Sequence, residues 1–186
     1  MATRQTSDLV RFFEELDVPE GLQAELIDGE IIVAPSGTPL HWLLIWALIK
    51  QFDGDDRWQC VAEQTLAHPR HQDRPEPDFL LYPAPIPRSA YQAPLSAEQV
   101  PFVAEILSRR NADNDVIKKP RLYARFGIPL YLVVDPFTGK CTLHLSPGGS
   151  GYREQRTTAF GDPIDLPDPV ALTLDTTAFD TYAGPA

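Results

Sequence analysis

Residues 102–134 read FVAEILSRRNADNDVIKKPRLYARFGIPLYLVV, and this stretch decides the fold. Two apolar runs, residues 102–107 and 130–134, flank a segment between Asp115 and Phe126 that reads as a helix. Strand, helix and strand in that order predict a right-handed crossover joining two parallel strands of one sheet. Glu105 interrupts the first run with apolar neighbours on both sides. A buried carboxylate is rare unless paired, because its desolvation must be offset by a cation or by hydrogen bonds. Glu105 is therefore a candidate functional residue. Pro120 is awkward inside the helix, where proline forfeits a hydrogen bond and clashes with the preceding turn at a cost of about 3 kcal/mol. It predicts a late helix start or a kink beside Lys119.

Upstream, residues 78–82 form a second strand opened by Pro77-Asp78, so Asp78 is another lone carboxylate at the edge of an apolar segment. Residues 58–66 read as a further strand. Residues 24–27 and 30–33 flank Asp28-Gly29, a dipeptide suited to the type I′ turn of a β-hairpin. Thr38-Pro39 supplies an N-cap and a first-position proline for a helix reaching Phe52. That helix is apolar nearly all round, which predicts burial with Trp42 and Trp46 in the core. His41, in its first turn, reads more readily as a packing or capping residue than as a ligand. Residues 7–16 predict a short amphipathic helix capped by Thr6 or Ser7. The polar residues 67–76 predict an exposed loop with His68 and His71 in solvent, and residues 83–101 a long proline-bearing flap. Asp135-Pro136 marks a turn. Residues 140–145 and 152–160 predict a hairpin, and residues 162–186 a wrapping tail with a short strand at 170–174.

The length of 186 residues suits one domain spanning residues 1–186, with its core at about 25–145. The 19 prolines mark loops. Cys60 and Cys141 lie in separate strand-like runs and form no disulfide framework or zinc spacing, so reduced core thiols and a cytoplasmic location are expected. The first residues show no secretory pattern. The most apolar segment, residues 40–49, falls short of the roughly 20 residues of a membrane span, so no membrane association is expected. Sixteen Lys and Arg against 26 Asp and Glu give a net charge of -10. Such a surface opposes tight sequence-independent binding to nucleic acid. Yet Arg109, Arg110, Lys118, Lys119, Arg121 and Arg125 crowd one stretch, and Arg109, Arg110, Lys118 and Arg121 are candidates for nucleic-acid contacts.

The ordered set of Glu25-Leu26-Ile27-Asp28-Gly29-Glu30, His41 opening a helix, Pro77-Asp78, Glu105-Ile106-Leu107-Ser108, Asp115, Lys119, Tyr123 and residues 127–136 (GIPLYLVVDP) resembles the Uma-two family. That family lies within the PD-(D/E)XK nuclease superfamily. The resemblance, from about Glu25 to His144, implies an α/β (α+β) restriction endonuclease-like core. Its elements would run αβββαβ around a four-stranded mixed sheet, with the N-terminal helix and hairpin and the C-terminal strands as additions. It implies that Asp78 and Glu105 hold Mg2+ or Mn2+ and that Lys119 is the catalytic lysine. Glu25, His41 and Asp115 would be accessory, with Glu63 a weaker alternative to Glu25. The chain departs from the wider superfamily at Leu107, where that motif usually has its lysine, and the resemblance implies that Lys119 takes over from the following helix. The implied activity is metal-dependent hydrolysis of DNA phosphodiesters, and a homodimer is expected. The alternatives are a catalytically inactive binding or assembly module and a hydrolase of another phosphoester. Taken alone, Lys119 could simply pair with Asp115 at i, i+4, worth about 0.2 to 0.5 kcal/mol.

Overall fold

The structure, a computed structural model, describes residues 2–109 and 114–183, with side chains from residue 8. Helix α1 (Ala2–Glu14) leads into the hairpin of β1 (Leu22–Ile27) and β2 (Glu30–Pro35), followed by α2 (Pro39–Gln51). Then come β3 (Trp58–Ala62), β4 (Leu66–Ala67), β5 (Phe79–Pro83), β6 (Leu95–Ser96) and β7 (Phe102–Ile106). A π-helical segment, Asn114–Lys118, runs into α3 (Lys119–Arg125). The chain continues through β8 (Leu130–Asp135), β9 (Lys140–Gly148), β10 (Gly151–Ala159), β11 (Ile164–Leu166) and β12 (Leu172–Leu174).

The central sheet has six strands in the order β10-β9-β8-β7-β5-β3. Only the β7–β8 pair is parallel in this sheet, as the intervening helical crossover requires. Four strands, β3, β5, β7 and β8, make the mixed core, and the β9–β10 hairpin widens it. Alternation along the strands divides the core into two layers. Phe79, Leu81, Phe102, Ala104 and Ile106 pack with Leu44, Ile45 and Leu48 of α2. Leu80, Val103, Tyr131 and Val133 face the other way and pack with Leu122 and Tyr123 of α3. Glu105, two residues on from Val103, shares its face and so points into the α3 layer.

Local chemistry sets the elements around this sheet. Asp28 and Gly29 both take positive φ, 51° and 80°, as a type I′ turn demands. Thr38 caps α2, its Oγ1 accepting from the His41 backbone N–H at 3.4 Å. The α-helix after β7 begins only at Lys119, with Pro120 in its first turn, which is the late start that Pro120 predicts.

Several expectations are corrected. Helix α1 begins before Thr6 and Ser7, so neither is its cap. The strand at residues 58–66 stops at Ala62, because Glu63 adopts φ 48° and breaks the ladder. Leu66–Ala67 instead pairs in parallel with Leu95–Ser96, which anchors the end of the long excursion. Residues 67–76 are not a solvated loop: Arg74 and Leu26 exchange backbone hydrogen bonds of 2.7 and 3.2 Å. His68 is 3% exposed, accepts from Arg70 N–H through Nδ1 and stacks on Phe126 with 5.2 Å between centroids. Trp42, Leu43 and Trp46 are 43%, 64% and 54% exposed, not core. A helix lying on one sheet face buries only the stripe that faces it, here His41, Leu44, Ile45, Ala47 and Leu48, whatever the composition of the far side. No helix among the described residues is long and apolar enough to cross a membrane, which says nothing of membrane β-barrels.

Candidate active site

The site forms where β5 begins and β7 ends. Phe79 pairs with Ala104 and Leu80 with Val103, so the same antiparallel register carried one step back sets Asp78 beside Glu105. Asp78 Oδ2 accepts from the Ile106 backbone N–H at 2.6 Å, fixing the carboxylate on the neighbouring strand. Its Oδ1 lies 3.4 Å from His41 Nε2, so the first turn of α2 closes the site from the other side of the sheet. The His41 ring is pressed against Gly37, where a Cβ would sit 2.3 Å from it. Gly37 is thus required for the turn to pass the imidazole. Burial opposes protonation of His41, but the hydrogen bond and charge of Asp78 outweigh it and raise its pKa above 6.5.

Glu105, 1% exposed, accepts from Lys119 Nζ at 2.8 Å and from Tyr123 Oη at 2.6 Å, both at Oε1. Lys119 and Tyr123 are four residues apart on α3, so one helix face delivers both donors. Lys119 Nζ also lies 3.1 Å from Glu25 Oε1 and 3.2 Å from Asp115 Oδ1. Glu25 Oε1 accepts in addition from the Glu76 backbone N–H at 2.8 Å, which ties the hairpin to the approach of β5. Burial alone would discharge Lys119, but Glu105, Glu25 and Asp115 hold its pKa well above the ordinary lysine value. Glu105 is raised by burial and by the neighbouring charges of Asp78, Asp115 and Glu25, against the pull of Lys119. Burial lifts Asp115 to about 7 even beside Lys119. Negative charge is in surplus around a single ammonium.

These side chains line a cavity of about 540 Å³ between the hairpin and the sheet. Glu76 lines it too, with its pKa pushed by burial to about 7. Sequence reasoning missed Glu76, which stands in a polar segment with no periodic signal. It also missed Phe137 and Tyr182, which join the wall from the turn after β8 and from the tail. Glu63 does not line the cavity, and its buried Oε1 has no hydrogen-bond partner among the described residues. The basic stretch is dispersed. Lys118 pairs with Glu30 at 2.7 Å, Arg125 with Asp28 at 2.8 Å, and the Arg109 guanidinium lies 5.0 Å from the centre of the Phe137 ring. Arg121 is exposed on α3, and Arg110 lies outside the described residues.

The donors suit a hard divalent cation, since carboxylate oxygens dominate the cavity floor and carry surplus negative charge. Both described donors to Glu105 use Oε1, so the carboxylate keeps acceptor capacity at Oε2 among the described residues. Among those residues no group of three or more His, Cys, Asp or Glu side chains is already gathered around one cation position. Asp78 and Glu105 would thus supply part of the coordination, as suits Mg2+, which retains several waters.

A crystal structure of a "putative nuclease belonging to DUF820" from Anabaena variabilis shares this fold, with a TM-score of 0.73 over 91% of this chain and 96% of that one, at 16% identity. No curated protein matches the chain. The sequence model of the Uma2 family, described as "Putative restriction endonuclease", matches residues 10–177. The chain belongs to the Uma2 family.

Proposed function

We propose that this protein hydrolyses phosphodiester bonds of DNA with the help of a divalent cation, Mg2+ or Mn2+. The observation that carries this reading is the burial of Lys119 against Glu105 beside Asp78 at the floor of a solvent-reachable cavity. Structural ion pairs have no need of a cavity above them, whereas a catalytic lysine and acid pair does.

Asp78 and Glu105 would hold the cation, which when bound supplies Lewis acidity toward a phosphoryl oxygen and acidifies water. The chain's own part is positioning. Ile106 N–H and His41 orient Asp78, while Tyr123 orients Glu105. Glu25 and Asp115 hold the Lys119 ammonium beside the acid pair, from which it can stabilise charge that develops on the phosphate. Lys119 on the helix would take the part that the wider superfamily gives to the position of Leu107, which follows β7, is 7% exposed and packs in the α3 layer.

The test is cleavage of supercoiled plasmid and of single-stranded circular DNA with Mg2+ or Mn2+. Removal of one charge-stabilising donor typically costs about 100- to 1,000-fold in rate. Lys119→Met and Glu105→Ala should each lose at least that much, and Mn2+ titrated calorimetrically should bind wild type but not Asp78→Ala, Glu105→Ala. Wild type that cleaves neither substrate, or cleaves as fast as Glu105→Ala, would end this reading. One observation favours a second reading, a nuclease fold retained as a binding module: the carboxylates of Glu105, Glu25 and Asp115 all engage the Lys119 ammonium. A third, hydrolysis of another phosphoester, would use the same residues and would show in a panel of small phosphodiesters. The homodimer proposed with the nuclease is checked by sedimentation equilibrium.

A further inference from the structure

The cavity is divided chemically. Glu25, Asp78, Glu105 and Lys119 form its ionisable floor, with Ile32 paired to Glu25 across the hairpin, and Phe137 and Tyr182 add an aromatic wall. On that wall the Phe137 and Tyr182 rings stack at 4.8 Å between centroids and 23° between planes, and the Arg109 guanidinium lies 5.0 Å from the Phe137 ring centre. The tail is fastened there at two points. Tyr182 N–H donates to Pro136 O at 3.1 Å, and its hydroxyl is 2.8 Å from Thr38 Oγ1, the N-cap of α2. A half-exposed tyrosine held by both main chain and side chain keeps its ring fixed at the rim. Thr38 and Arg109 line the same cavity, so rim and floor belong to one continuous space.

Size then limits what can enter. A volume of about 540 Å³ is that of a small-ligand pocket, within the roughly 300 to 1,000 Å³ range. A base held in a duplex stack cannot reach such a pocket without leaving the stack. An aromatic stack with an arginine against it, above a floor suited to phosphate chemistry, matches the way unpaired bases are held independently of sequence.

Resting on the nuclease reading above, we infer that Tyr182, the exposed end of the Arg109, Phe137 and Tyr182 stack, receives the base of an unpaired nucleotide whose phosphate reaches the Glu105 and Lys119 floor. The preferred substrate is single-stranded or locally unpaired DNA. The tail therefore completes the site.

The experiment follows quenching of a 12-nucleotide single strand carrying one 2-aminopurine, with Ca2+ replacing Mg2+ to suppress cleavage, and compares it with the blunt duplex of the same sequence. Base stacking is worth about 1 to 3 kcal/mol per base, so Phe137→Ala and Tyr182→Ala should each weaken single-strand binding about 5- to 150-fold. Tyr182→Phe, which keeps the ring and loses the hydroxyl, should stay within about threefold, given the modest worth of one exposed hydrogen bond. The duplex should bind at least tenfold more weakly. No quenching, equal affinity for the duplex, or unchanged affinity in both alanine variants would overturn the subsite. Should Phe137→Ala not fold, Tyr182→Ala carries the test, since Tyr182 is 41% exposed. Quenched, ring-dependent binding without any cleavage by wild type in Mg2+ would uphold the subsite and defeat hydrolysis. Cleavage with unchanged affinities would do the reverse.

Discussion

Lys119 shows what one residue can and cannot disclose. Its i, i+4 contact with Asp115 is readable from spacing, and it is present at 3.2 Å. The contacts with Glu105 and Glu25 arise only when the crossover helix packs on the sheet and the hairpin folds over both, so no local pattern announces them. Removing a buried partner leaves uncompensated charge, at about 3 to 5 kcal/mol. Lys119→Met should therefore lower urea-unfolding stability by that amount near pH 7.5, and Glu105→Gln, which keeps volume and acceptors for Tyr123, by less. Equal losses would show that the Lys119 charge is not what binds the cluster together. A second residue-scale prediction concerns acid. His68 is held below its ordinary pKa of 6.5 by burial and by neighbouring His71, and His144, between Tyr131 and Tyr152, by burial. The unfolded chain then binds protons more readily than the native one, so this contribution to stability is complete above pH 6.5 and declines as pH falls below it toward the native values. On going from pH 7.5 to 5.5 the urea midpoint of a His68→Gln, His144→Gln double variant should fall less, or rise more, than that of wild type, since the opposing gains from His41, Glu76 and Asp115 are common to both. His68 escaped sequence reading because the polar residues around it suggested solvent, while its actual neighbour, Phe126, is distant in the chain.

At the scale of elements, the junction of the π-helical segment and α3 has a compact cause. In a π-turn a carbonyl accepts from the N–H five residues on. For Asp115 that residue is Pro120, which has no N–H to give. Tyr131 of β8 supplies the missing donor, its hydroxyl bonding to Asp115 O at 2.6 Å in a fully buried setting. The helical irregularity is thereby fastened to the sheet beside Lys119. Tyr131→Phe should cost about 1 to 3 kcal/mol, the price of leaving a buried carbonyl unpaired. In a Pro120→Ala background the restored N–H can serve that carbonyl, so the same substitution should cost less, and a double-mutant cycle by urea denaturation measures the coupling. Additive losses would refute the account. The irregular helix start was legible because proline acts through its own covalent structure. The strands and the Asp28-Gly29 hairpin were legible for the same reason, since alternation and positive φ are local demands. The exposure of Trp42 and Trp46 was not, because composition cannot say which side of an apolar helix the sheet will cover.

For the whole molecule, the question is how a chain with net charge -10 would engage a polyanion. The sequence presents a run of cations near the site, but folding pairs Lys118 with Glu30, Arg125 with Asp28 and Lys119 with its three carboxylates. Of the candidate nucleic-acid contacts described, Arg109 and Arg121 keep their charge clear of carboxylate partners among the described residues. On the proposed function, affinity would come from a small contact set, from base stacking and from a cation held at the acidic floor, rather than from a basic surface. Each phosphate neutralised on a single strand contributes a slope of about -0.7 to log K against log salt. Two such contacts give a slope of about -1.4, so raising monovalent salt from 50 to 200 mM should weaken binding only about sevenfold. Fluorescence anisotropy with a labelled single strand, at fixed Ca2+, measures this slope. Arg121→Ala should flatten it by about 0.7, since one phosphate contact is lost. A wild-type slope steeper than about -3 would mean four or more phosphates neutralised, and hence a basic groove that these ion pairs do not leave available.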